Sequence, residues 1–274
     1  MIRLPLIWFA GPEAAAQTAL VVEYVTDADF YDALAHGFAQ TIDLGTLQIH
    51  HDVRNGGGNT THVVYGILQG QARLTLAVAD SDRFSPTGPL GPTAAALRDV
   101  DDVGVHHSRV VMTGVREAEN MVPIAVLRAA IERYEPNNKA ADALEEIVRH
   151  VGPDVLGYLD LKKDTRGETL DQLSASADAA DAAFWTQNVG GLRAAGHRME
   201  LPCQQAMACP SPHACRCVVV PTAGRKALVR TTEYLKTLDS SSMMGLIDNR
   251  VLDEWERVGG AVASWCCGLE PVAG

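Results

Sequence analysis

No stretch of this chain approaches the roughly 18–20 consecutive apolar residues that crossing a bilayer takes, so no membrane partner is expected. Basic residues are scarce: 23 Lys and Arg stand against 34 Asp and Glu, a formal net charge of −11. That excludes a general basic coat for nucleic acid, though not a local groove or one lent by a partner. There is no Gly-x-x-x-x-Gly-Lys-Ser/Thr sequence, so the chain carries no P-loop of its own. Nor does a His-Glu-x-x-His spacing occur. His50, His51, His62, His106 and His107 therefore read as surface or loop histidines rather than a zinc site. Internal repeats and low-complexity tracts are absent.

A disulfide framework is also missing. Four of the six cysteines cluster as Cys203-x5-Cys209-x5-Cys215-x-Cys217, and two are adjacent at Cys266-Cys267. Such clustering favours metal over disulfides and goes with a cytoplasmic location. Cys203, Cys209, Cys215 and Cys217 can close a structural Zn²⁺ site, with His213 able to replace one sulfur. Buried free thiols are the other reading. Cys266-Cys267, beside Trp265, is expected to pack a helix end. Arg3 to Ala10 resembles a signal peptide only at the short limit of its apolar core. A buried strand or an arm is the better expectation there.

What the chain does have is apolar matter for a core: 47% of its 274 residues are hydrophobic. Two apolar runs end in acid. Arg73 to Ala79 reads as a buried strand, followed by Asp80-Ser81-Asp82 and a Pro/Gly loop. Extended backbone puts Asp80 and Asp82 on one side, where they repel each other unless a cation lies between them. Oxygen donors of this kind suit Mg²⁺; the alternative is an ordinary acidic turn. Ala19 to Val22 is a second strand ending in Glu23. Thr26 reads as the N-cap of a helix through Phe30, Leu34 and Phe38. In an α/β sheet, strand ends of this kind gather at one edge, where ligands bind.

Further along, Ile42 to Ile49 suggests a strand and Gly56-Gly57-Gly58 a flexible turn. His62 to Leu68 resumes an apolar run. A short helix over 93–97, a strand over 109–112 and helical spacing over 122–133 and 139–150 follow. Residues 166–183 read as a linker or a solvated helix. Strands alternating with helices predict a largely parallel sheet flanked by helices. The expected organisation is an α/β unit over 1–165 and a smaller Cys-containing region over 166–274.

In order and spacing, three segments resemble a TOPRIM domain. They are Val21-Val22-Glu23 with Asp27, Asp80-Ser81-Asp82 after a strand, and Arg116-Glu117-Ala118-Glu119-Asn120. The resemblance spans roughly residues 19 to 165 and is nearest to the overcoming-lysogenization-defect type nucleases of phage defence. One position departs: Tyr24 stands where that family has Gly, which narrows backbone freedom and crowds a phosphate. The resemblance implies a Mg²⁺- or Mn²⁺-dependent nuclease acting on DNA or RNA. It also implies an effector of bacterial antiviral defence that works with a separate ATPase.

Glu23, Asp80 and Asp82 are then the expected metal ligands. Asp27 joins them, or serves only the helix N-terminus. By resemblance Glu119 holds a second metal or orients a ligand; it reads equally as a helix N-terminal acid. Lys162 stands where the family has a late lysine that steadies phosphate charge, or is a surface lysine. Two rivals remain open. A nucleotide-sugar glycosyltransferase also uses Asp-x-Asp, but needs neither Glu23 nor Glu119. A non-enzymatic adaptor would keep the fold in degenerate form.

Overall fold

The structure is a computed structural model that describes residues 16–44, 47–71, 73–102, 105–198 and 216–268. In chain order the first half holds β1 (Ala19–Val22), α1 (Val25–Thr41), β2 (Gln48–Ile49), β3 (Asp52–Asn55), α2 (Thr61–Gly70), β4 (Thr75–Ala79), α3 (Pro92–Val100), β5 (Ser108–Met112), α4 (Ile124–Tyr134) and α5 (Ala140–His150). The second half holds β6 (Thr165–Arg166), α6 (Gly167–Ser174), α7 (Ala179–Arg198), β7 (Val218–Val220), α8 (Ala227–Leu235), α9 (Ser240–Met244), α10 (Asn249–Glu254), α11 (Gly260–Cys266) and β8 (Cys267–Gly268). Short 3₁₀ turns lie at Ala118–Met121 and Asp154–Tyr158, and a π turn, Trp255–Gly259, joins α10 to α11.

The main sheet has the order β3-β1-β4-β5, and every pairing in it is parallel. Its two central strands, ALVV and TLAVA, are buried at every position, as continuous apolar runs must be when helices cover both faces. Alternation divides the faces. Leu20, Val22, Leu76 and Val78 share a core with Phe30 and Leu34 of α1. Ala19, Val21, Ala77 and Ala79 turn to the other side and meet Tyr65 and Leu68 of α2 and Leu97 of α3. From β1 the chain runs through α1 to the outer strand β3. From β4 it runs through α3 to β5, in the opposite direction. The strand order therefore switches between the neighbours β1 and β4, and a crevice opens beyond their carboxyl ends.

The stretch beyond residue 165 shares the α1 core. Trp255 meets Phe30 edge-to-face at 6.2 Å between ring centroids, and its indole N–H donates to the Met121 carbonyl at 2.8 Å. A Cβ on Gly259 would come within 2.4 Å of the Leu34 carbonyl oxygen, so only glycine lets the π turn approach α1 this closely. Cys266 is buried at the end of α11.

Several local expectations change. Tyr24, not Thr26, is the N-cap of α1. The Asp27 carboxylate accepts from the Tyr24 amide at 3.1 Å, and the helix starts two residues earlier than expected, at Val25. The strand expected over 42–49 shrinks to Gln48–Ile49, paired with β8, and the edge strand β3 is the one that joins the sheet. The run at 62–68 is the helix α2. Residues 166–183 hold α6 and the start of α7, anchored by the fully buried Leu170. His51 is not a loose surface histidine: its ring contacts the Asp32 carboxylate at 2.7 Å and is largely buried. Residues 3–10, Cys203, Cys209, His213 and Cys215 lie outside the described residues, while Cys217 stands just before β7. Among the described residues no helix is long and apolar enough to cross a membrane.

Candidate acidic site at the carboxyl edge of the sheet

β1 and β4 pair with Val21 opposite Ala77, so Glu23 and Asp80 leave the sheet side by side. Each is held by its backbone. The Gly56 amide donates to the Val22 carbonyl at 2.7 Å, and the Gly57 amide to the Glu23 carbonyl at 3.1 Å. Gly57 and Gly58 adopt φ of +67° and +62°, which glycine alone enters freely. These amides are committed to strand β1, so the glycine turn is scaffold for Glu23 rather than a phosphate cradle.

The loop after β4 is tied to the loop after β5. The Ser81 hydroxyl donates to the Val115 carbonyl, the Asp82 amide to the Arg116 carbonyl at 2.9 Å, and the Ala118 amide to Asp80 Oδ1 at 2.8 Å. Asp82 takes a φ of +52°, a left-handed conformation costing a non-glycine residue roughly 1–3 kcal/mol. Gly91 packs on it so closely that a Cβ would lie 2.3 Å from that of Asp82.

The segment 116–120 supplies the third side of the site. Asn120 is fully buried. Its oxygen accepts from the Glu117 amide at 3.0 Å, and its amide nitrogen donates to the carbonyls of Leu156 and Leu159 at 2.7 and 2.9 Å. Asn120 thus joins the Glu119 turn to the segment that leads into Lys162. There the Lys162 ammonium lies 3.1 Å from Glu119 and 3.5 Å from Glu117. The Asp160 carboxylate accepts from the Lys162 amide at 3.0 Å and stands 3.7 Å from the Arg116 guanidinium.

Crowding and burial shape the electrostatics. Burial, then the charge of Asp82, pushes the Glu23 carboxyl up to about 7, against a hydrogen bond from the Asp80 amide. Asp80 is raised well above the carboxylate range by burial, then by Glu119 and Glu23. Burial also raises Asp27, Asp82 and Glu119, opposed mainly by the Tyr24 amide, by Arg116 and by Lys162 respectively. Burial alone would lower Lys162, but Glu119, Glu117 and Asp80 outweigh it and hold the ammonium charged. Tyr31 of α1 lies buried within reach of the same field: burial and then Asp80 keep its hydroxyl protonated.

Glu23, Asp27, Asp80, Asp82, Glu119 and Lys162 therefore share one electrostatic neighbourhood. An all-oxygen set of this kind suits a hard cation such as Mg²⁺ or Mn²⁺, and Glu23 Oε1 is buried with no hydrogen-bond partner. Among the described residues, however, no three His, Cys, Asp or Glu side chains stand ready to coordinate one ion. Closure on a metal would need carboxylate side chains to turn inward. Sequence reasoning assigned no part to Asn120, Asp160, Tyr31 or Gly91. A buried asparagine inside an acidic segment was the one usable signal. Comparison with protein-family models, curated proteins and solved structures gives no match.

Proposed function

We propose that this edge is a TOPRIM-like divalent-metal site and that the protein hydrolyses phosphodiester bonds in nucleic acid. The observation that carries the reading is the burial of Glu23, Asp80, Asp82 and Glu119 at the switch point, where Asp82 crowds Glu23 and both Glu119 and Glu23 crowd Asp80, with one Glu23 oxygen unpartnered. Lys162 offsets Glu119 and Arg116 offsets Asp82, but the Glu23 and Asp80 carboxyls stay raised, and a further cation between them would relieve that. Glu23, Asp80, Asp82 and Glu119 would hold the ion, with Asp27 behind Glu23. A bound Mg²⁺ or Mn²⁺ would offset charge on phosphate oxygens and sharpen the acidity of water.

The chain's own groups have complementary tasks. Burial and Asp82 push the Glu23 carboxyl up to about 7 in the metal-free chain, and a bound cation would bring it back down and keep it ionised as a ligand. The Lys162 ammonium meets negative charge that develops beside Glu119. A glycosyltransferase would need Asp80 and Asp82 but neither Glu23 nor Glu119, whereas here Glu23 is coupled to Asp82 and Glu119 to Asp80. The same resemblance extends the proposal to an antiviral effector acting with a separate ATPase.

The test is Mg²⁺-dependent cleavage of DNA and RNA by Asp80→Ala and Asp82→Ala, run with and without the product of the neighbouring gene. Each variant should fold and lose activity by at least about two orders of magnitude. Undiminished cleavage would reduce the pair to an acidic turn, and a wild-type chain that cleaves nothing in either setting would favour the adaptor.

A further inference from the structure

Among the described residues only two aromatic side chains stand open to solvent, Tyr24 at 58% and Phe84 at 39% exposed. All the others are buried or half-buried. Both exposed rings flank the acidic site. Tyr24 follows Glu23 directly, and its hydroxyl lies near Gly58, 3.6 Å from where a Cβ there would stand. The ring thus reaches toward the glycine turn that scaffolds Glu23. Phe84 comes two residues after Asp82.

Neither ring is on a loose tether. The Tyr24 amide is fixed by Asp27 at 3.1 Å. The Phe84 carbonyl accepts the Trp185 indole N–H at 2.7 Å, and the Arg116 guanidinium lies 4.6 Å from its ring centroid. That cation covers one face of Phe84 and links the ring to Asp82, whose charge it steadies. Exposing a large ring costs burial energy that a core position would recover. Two exposed rings at one edge, one next to Glu23 and one two residues after Asp82, offer flat apolar faces to a ligand of the site.

Resting on the phosphodiesterase reading of this site, we infer that Tyr24 and Phe84 are base-stacking platforms that select an unpaired strand. A duplex keeps its base faces stacked inside, whereas an unpaired strand offers one to each ring. Stacking also answers the charge problem. The chain carries a net −11, and the cations nearest the site, Arg116 and Lys162, are engaged by carboxylates. Phosphate contacts are therefore few, and binding should depend only weakly on salt.

The experiment measures binding, apart from cleavage. Fluorescein-labelled strands of about 12 nucleotides, as DNA and as RNA, and the matching DNA duplex, are titrated with the full chain in Ca²⁺ and in EDTA, at low and physiological salt. Wild type should prefer the single strand. Tyr24→Ala and Phe84→Ala should each weaken single-strand binding by about 5- to 150-fold, the worth of one stacked base. Tyr24→Phe and Phe84→Trp should stay within about twofold of wild type, since both keep a π face. Alanine variants that bind like wild type would overturn the inference, as would equal affinity for the duplex or no single-strand binding at all. If Asp80→Ala still abolishes cleavage in that case, the phosphodiesterase reading stands alone. Conversely, intact stacking in a chain that never cleaves would keep the platforms and remove the nuclease.

Discussion

Replacing Glu23 by Gln should stabilise the metal-free protein in mild base and change little in acid. Glu23 has its pKa near 7 in the folded chain, against 4.5 when unfolded. Between those values the folded state holds a proton that the unfolded state releases. The stability it contributes is complete below about pH 4.5 and is lost as pH rises through about 7. A rise of about 2.5 pH units at about 1.4 kcal/mol each amounts to up to about 3 kcal/mol. Glutamine has the same shape and no charge, so at pH 8 it avoids that loss. For a chain of this size the gap corresponds to roughly 6–12 °C in Tm. Thermal unfolding of both proteins, followed by circular dichroism in EDTA from pH 4.5 to 8, reads the effect. Excess Mg²⁺ at pH 8 should raise the wild-type Tm and narrow the gap, because only wild type gains a bound ion. A gap that is absent at pH 8, or larger at pH 5 than at pH 8, would refute the burial, and the charge of Asp82 behind it, that raise Glu23.

Asn120→Ala removes three buried hydrogen bonds and strands one amide and two carbonyls. At a little over 1 kcal/mol per stranded group it should cost about 4 kcal/mol, or roughly 8–16 °C in Tm; a loss under about 2 °C would contradict its role as the pin between Glu119 and Lys162. Elemental analysis of purified protein should find about one zinc per chain if Cys203, Cys209, Cys215 and Cys217 close a structural site, and metal-free protein of full stability would rule that site out.

The acidic ends of β1 and β4 were legible because an unbroken apolar run stopped by a carboxylate is what a central parallel strand looks like in sequence. Parallel pairing of those strands then brought Glu23 and Asp80 together without further information. The edge strand β3 was not legible: Asp-Val-Arg-Asn has two half-buried and two exposed residues and no apolar run to mark it. α2 carried Val63, Val64, Tyr65 and Ile67, types that favour strands, and only packing of Tyr65 and Leu68 beneath the sheet makes it a helix. Tyr24 as N-cap was hidden because the bond that defines it comes from Asp27, three residues on. Asn120 and the docking of Trp255 on Phe30 depend on partners 36 or more residues away. Local pattern carries no trace of such partners.

On the proposed function, the carboxylates at the β1–β4 switch point close on a divalent cation. A crystal of the protein grown or soaked with Mn²⁺, with anomalous scattering recorded at the manganese edge, tests it directly. The expected result is an anomalous peak bounded by oxygens of Glu23, Asp80 and either Asp82 or Glu119, with the Glu23 side chain turned to meet it. Carboxylates left as they stand at saturating Mn²⁺, with no peak among them, would contradict it.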